Sequence, residues 1–193
     1  MTNRLPILPP VEFYRLCEAA SKSVYAAKPP NEKYAASVRD LLFGTGLHES
    51  DGLKANRQYG FPLPRYPYEA KQFKGAFGIM QCEWGSIKAS VEMCQKSPAL
   101  AENVGRCLFG VGADREWALK IDQPAILQFL VYSPRASVVF ARLHYLRVVT
   151  PIPETLNFQA EYYKRFYNTY AGKATPDDFI LAFKRGMAAV GDQ

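Results

Sequence analysis

The sequence predicts a mostly α-helical single domain carrying a small β or irregular element between residues 51 and 83. Three observations lead there. Helical spacing of apolar residues recurs from residue 11 to residue 49 and again from residue 84 to residue 190. Between these stretches, residues 51–74 hold Gly52, Gly60, Pro62, Pro64 and Pro67 among Tyr59, Phe61, Tyr66, Tyr68 and Phe73. Residues 75–81 (Gly-Ala-Phe-Gly-Ile-Met-Gln) then alternate small and apolar side chains, as a tight buried turn or short strand does. With 193 residues, 48% of them hydrophobic, the chain is long enough to bury a substantial core.

Taken in order, Val11, Tyr14, Leu16, Cys17, Ala20 and Val24 mark an amphipathic helix stopped by Pro29-Pro30. Residues 1–30 thus read as an N-terminal segment and helix, with the main domain over 31–193. Asn31 caps a second helix whose stripe of Tyr34, Val38, Leu41, Leu42 and Thr45 runs to Leu47, His48 and Glu49. Glu49 therefore falls at a helix C-terminus, where the backbone dipole disfavours added negative charge and favours a protonated carboxyl group. The aromatic loop over 51–74 is longer than compact domains ordinarily leave unstructured, which makes it a candidate wall or lid over a site. Further helices are expected over 84–96, 98–109, 114–121, 122–132, 134–148, 158–170 and 176–190. Asp122 before Pro124, Ser133 before Pro134 and Thr175 before Pro176 supply cap and first-turn proline signals.

Composition narrows the function classes. Lys and Arg total 24 against 18 Asp and Glu, a formal charge of +6, which favours an anionic partner. The basic residues are scattered singly and match no nucleic-acid-binding motif; anionic bacterial envelope polymers suit the charge equally well, and a solvated basic surface needs neither partner. Cys17, Cys82, Cys94 and Cys107 form no Cys-x-x-Cys pair, and only His48 and His144 could join them as soft ligands. No zinc site or cofactor is expected, and the cysteines read as reduced core residues. No apolar run approaches the roughly 18 residues that span a bilayer, and prolines interrupt the first ten residues before a signal-peptide core can form. Membrane insertion is not expected, and synthesis in a cytoplasm is.

The chemistry-bearing segments are Leu47-His48-Glu49-Ser50 and, after the aromatic loop, Gly75-Ala76-Phe77-Gly78-Ile79-Met80-Gln81. In that order they resemble the Glu-Ser and Gly-Leu-Met-Gln motifs of soluble lytic transglycosylases and goose-type lysozymes, with Ile79 in place of Leu. Tyr167-Asn168, followed by Gly172, resembles the Tyr-Asn motif of the same family. Residues 41–45, 144–147 and 163–169 look like a phage-encoded branch of it, and the resemblance covers most of residues 38–185. It implies a lysozyme-like (α+β) catalytic domain that cuts the glycan strands of peptidoglycan, from a protein made in a bacterial host and carried as a virion component with other virion proteins as partners.

By the same resemblance Glu49 is the catalytic acid, Gln81 faces the cleft, Tyr167 orients the acid or an N-acetyl group, and Asn168 holds the local turn. Ser50, Phe77 and Met80 belong to the same substrate-binding set. Physically, protonating a glycosidic oxygen near neutral pH requires a carboxyl group whose surroundings raise its pKa. A helix end beside Phe77, Ile79 and Met80 provides such surroundings.

An inverting hydrolase also needs a second carboxylate to activate water, roughly 6.5 to 9.5 Å from the acid. Glu83 occupies the place of one goose-type Asp, two residues after Gln81, whereas the second goose-type Asp has no clear counterpart near Asp51 or Glu69. A transglycosylase needs only Glu49. Two readings compete with the glycosidase: a cell-wall cysteine peptidase using Cys82 and His144, and a virion structural protein that keeps a lysozyme-like fold without its activity.

Overall fold

The computed structural model describes residues 7–25, 28–55, 74–110, 116–168 and 172–191. These form a mostly helical body, 72% helix, with two short strands. The elements are α1 (Pro10–Ser23), α2 (Glu32–Glu49), β1 (Ala76–Phe77), β2 (Cys82–Glu83), α3 (Trp84–Lys96), α4 (Pro98–Phe109), α5 (Trp117–Lys120), α6 (Gln123–Tyr132), α7 (Pro134–Leu146), α8 (Leu156–Tyr163) and α9 (Pro176–Gly191). A π-helical turn, Lys164–Asn168, extends α8. No single helix among the described residues is long and apolar enough to cross a membrane.

The cap signals operate as their chemistry dictates. Asn31, Asp122 and Ser133 accept hydrogen bonds from the backbone N–H groups of Tyr34, Ala125 and Ala136. At α9 the cap is reciprocal: the Asp178 N–H donates to Thr175 Oγ1, and the Thr175 N–H donates to Asp178 Oδ2. The helix expected over 114–121 is seen as α5, with residues 111–115 outside the described residues. Most of the aromatic loop, residues 56–73, also lies outside them.

Two buried helices organise the core. On α2, Val38, Leu41, Leu42, Phe43 and Leu47 are buried, and glycines let neighbours approach the helix closely. A Cβ at Gly44 would run into the Phe179 ring of α9, and one at Gly46 would run into Phe13 of α1. Phe13 stacks on Phe43 at 5.7 Å and Tyr14 meets the same ring edge-on at 5.1 Å, so α1 is built into the core of the main domain. Truncating Phe13 to Ala would cost about 3–5 kcal/mol by the usual cavity penalty. The second buried helix, α7, carries Val138, Val139, Phe140, Ala141 and Leu143 between its neighbours.

The hairpin that faces the end of α2 is short and closely fitted. Strands β1 and β2 pair antiparallel, Ala76 opposite Glu83 and Phe77 opposite Cys82. Gly78 has φ +72, and a side chain there would strike Ser137 of α7. The Ser137 hydroxyl accepts the Met80 N–H at 2.9 Å and so fixes the turn to the core. Residues 75–81 thus form the turn and strand that their small and apolar alternation predicts.

Candidate active site around Glu49

Glu49 is the last residue of α2 and is half-buried. The chain turns away from it abruptly. The Ser50 hydroxyl donates to the Gly46 carbonyl at 2.5 Å and accepts the Leu53 N–H at 2.9 Å, and Asp51 and Leu53 both adopt positive φ. Non-glycine residues rarely take that conformation, and here two of them do so directly beside a carboxyl group. The strain is held by burial of Leu53 and by the Gly52 N–H bond to the Leu47 carbonyl.

Three groups surround the carboxyl group. The Tyr163 hydroxyl lies 2.5 Å from Glu49 Oε1, the Asn168 side chain hydrogen-bonds it, and Glu83 on β2 is near enough for its charge to be felt. Burial is the largest influence and pushes the Glu49 pKa up; the Tyr163 and Asn168 hydrogen bonds pull it down, and the Glu83 charge raises it. The net displacement is upward. Such a group can hold a proton at a pH where an ordinary carboxylate has lost it.

The π-helical turn explains which tyrosine reaches the acid. A regular helix was expected to run through 158–170, but it widens at Lys164–Asn168, and such bulges recur at functional sites. Tyr163 and Tyr167 stand with ring centroids 6.1 Å apart and take different partners. The Tyr167 hydroxyl donates to the Met80 carbonyl at 2.6 Å and lies 3.6 Å from Cys82 Sγ, strapping the π turn to the hairpin. Tyr163, one turn earlier, holds the acid. Lys164 fixes the segment beyond by donating to Asn168 Oδ1 at 3.1 Å and to the Gly172 carbonyl at 2.7 Å.

The structure brings Glu49, Glu83, Asn168 and the Tyr163–Tyr167 pair together, and it puts the remaining motif residues beneath the site. Ser50, Phe77 and Met80 are completely buried, so as they stand their side chains offer no surface to a substrate. The apolar packing that desolvates Glu49 encloses all three, which the sequence expectation set among the substrate-binding residues. Gln81 has φ +48 and is partly exposed, and its amide donates back to the Gly78 carbonyl at 2.8 Å, closing the hairpin turn. Glu83 is exposed.

Two residues connected to the Glu49 carboxyl group were given no part in the site by the sequence, Tyr163 and His48. Tyr163 lies four residues before Tyr167, hence on the same helical face, which is the one signal that could have marked it. His48 Nδ1 lies 2.9 Å from the Tyr163 hydroxyl. The Cys82–His144 pair has no catalytic geometry. His144 Nε2 donates to the Phe166 carbonyl at 2.6 Å, while Nδ1 accepts from Ser86 and Arg147. Burial pushes the Cys82 thiol up to about 12, which opposes the thiolate a nucleophile needs. All four cysteines are free, and no cluster of three potential metal ligands occurs among the described residues.

Comparison with protein-family models, curated proteins and solved structures returned no match to the chain.

Proposed function

We propose that this chain is a peptidoglycan-degrading glycosidase with a lysozyme-like fold, cutting the bond between N-acetylmuramic acid and N-acetylglucosamine with Glu49 as its acid. The observation that carries the reading is the half-buried carboxyl group at the end of α2, raised in pKa and held by Tyr163 and Asn168. The ordered motifs around Glu49, residues 75–81 and Tyr167-Asn168 support it, as does a charge of +6 suited to anionic wall polymers.

The reaction favoured is lytic transglycosylation. Glu49 protonates the glycosidic oxygen and then, as a carboxylate, takes the proton of the muramic acid 6-hydroxyl, whose oxygen attacks the anomeric carbon to give the 1,6-anhydro product. Net proton change at Glu49 is zero, and no water is consumed. Inverting hydrolysis is the second reading, favoured by one observation: the charge of Glu83 reaches Glu49, so a second carboxylate stands near the first. In both versions the protein is phage-encoded, made in a bacterial host and carried on the virion to act on the host wall.

Muropeptide mass spectrometry on digested sacculi tests this directly. Anhydro-terminated products are expected; reducing-end products indicate the hydrolase. Cleaved peptide bonds with intact glycan would overturn the glycosidase reading, and no cleavage at all would leave the virion structural protein.

A further inference from the structure

His48 is used by neither version of that mechanism, yet it is wired to the acid. Its Nδ1 lies 2.9 Å from the Tyr163 hydroxyl oxygen, which lies 2.5 Å from Glu49 Oε1. The Tyr163 hydroxyl carries one proton and cannot donate to both neighbours. His48 also lines a cleft of about 450 Å³ between the start of α1, the turn after α2, and α9. Among the described residues the only side-chain hydrogen bond of His48 is the one at Nδ1.

We propose that His48 is a positioning residue for the acid: while Glu49 is protonated, neutral Nδ1 takes the Tyr163 proton and a Tyr163 lone pair accepts from the carboxyl group, which offsets part of the downward pull that the Tyr163 hydroxyl exerts when it donates to the carboxylate. The inference rests on Glu49 being the working acid. In the loaded state Glu49 donates to Tyr163, Tyr163 donates to Nδ1, and His48 carries its own proton on Nε2. When Glu49 gives its proton to the leaving oxygen, the Tyr163 proton swings from Nδ1 to the new carboxylate. That bond is then charge-assisted, and so strongest once the proton has left. No covalent bond changes in the chain other than the transfer from Glu49.

The surroundings keep His48 in the neutral form this requires. Burial lowers its pKa, and Asp178 raises it by a smaller influence. Tyr163 from α8 contacts the ring, Asp178 from α9 is the charged group that acts on it, and Asp51 and Lys54 from the turn beyond α2 and Arg185 from α9 line the same cleft. Protonation of His48 would reverse the chain, since an imidazolium must donate to Tyr163, and the Tyr163 proton would then point at Glu49 and favour its carboxylate.

The test is a titration of ¹³C-labelled glutamate side chains by NMR, with Glu49 assigned through its absence in Glu49→Gln. In His48→Phe, Tyr163 has only Glu49 left as acceptor and stabilises the carboxylate, so the Glu49 midpoint is expected to fall about tenfold in proton affinity. His48→Asn, which puts an amide oxygen near the place of Nδ1, should restore it. In a Tyr163→Phe background His48→Phe should produce no further shift. An unchanged Glu49 midpoint in folded His48→Phe overturns the proposal, as does a shift that persists without the Tyr163 hydroxyl. Because this readout uses no substrate, a wild-type protein that leaves sacculi intact counts against the proposed function alone. Where sacculi are cut, the alkaline limb of the pH–rate profile should move with the midpoint.

Discussion

Glu49 and Arg142 are both drawn out of water, and burial acts on them in opposite directions. It raises the Glu49 pKa and lowers that of Arg142 on α7, because in each case the charged form loses solvation. The consequences differ with the chemistry of the group. A guanidinium starts so far above neutrality that it stays cationic, whereas a raised carboxyl group becomes switchable. Their surroundings differ too. Glu49 is half-buried among Tyr163, Asn168 and Glu83, while Arg142 is 2% exposed, with Nε and Nη1 lacking hydrogen-bond partners among the described residues and Tyr34 as its main polar neighbour there. One cluster is set up around a proton that can leave. The other holds a charge that cannot.

The largest expected effect tests the switchable side. Glu49→Gln keeps the shape and removes the transferable proton, so glycan cleavage should fall by about three orders of magnitude or more. Near-normal turnover on purified sacculi would remove Glu49 from the mechanism. The same variant should be more stable than wild type at neutral pH, and the sign follows from the raised pKa. Below the ordinary carboxyl value Glu49 is protonated in both folded and unfolded chains, and no penalty exists. As pH rises the unfolded chain ionises first, so wild type loses stability until the folded-state pKa is passed. Thermal melts from about pH 4 to pH 8 should therefore show the advantage of Glu49→Gln growing with pH.

Arg142 tests the other side. Arg142→Ala empties a buried volume beside Tyr34 and should cost about 2–5 kcal/mol in denaturant unfolding. Arg142→Met fills much of that volume without a charge to desolvate, and should be neutral or stabilising by about 1–4 kcal/mol. A large loss in the Met variant would mean that the cation has a partner that its surroundings do not reveal. Between these lies the tyrosine pair. Tyr163→Phe removes a charge-assisted bond to the acid and should slow cleavage by about 10- to 100-fold. Tyr167→Phe removes the strap to Met80 and should cost about 1 kcal/mol of stability with a smaller change in rate.

The contrast between these clusters also shows what the sequence could and could not convey. Asn31, Asp122, Ser133 and Thr175 cap helices through local geometry, and the stripe from Tyr34 to Leu47 delivers Glu49 to a helix end by periodicity alone. The partner of the acid was not legible. Tyr163 and Tyr167 share a face at i, i+4, and only the π turn decides which hydroxyl meets Glu49 and which meets the hairpin. Ser50, Phe77 and Met80 sit in a motif that names residues, whereas their complete burial depends on how α1, α7 and the hairpin close around them. Arg142 gave no warning either, because a single Arg in an apolar helix resembles a residue that reaches for solvent.

The smallest expected effect separates the two glycosidase mechanisms. Glu83 is exposed on β2, and its negative charge raises the Glu49 pKa as the least of the influences on it. Glu83→Gln removes that charge, so the Glu49 pKa should fall slightly and the alkaline limb of the pH–rate profile should move to lower pH. If Glu83 also served as the base that activates water, turnover would drop by about two to four orders of magnitude at every pH, since an amide cannot accept the proton that water must lose. Under transglycosylation the nucleophile belongs to the substrate and Glu49 handles both transfers, so rate at the optimum should hold within a few-fold and the products should stay anhydro-terminated. The exposure of Glu83 favours the smaller effect, because a solvated carboxylate lacks the enclosure that sets Glu49 apart. A folded Glu83→Gln protein that binds glycan strands but cannot cut them would reverse the assignment and make the pair, rather than Glu49 alone, the reacting unit.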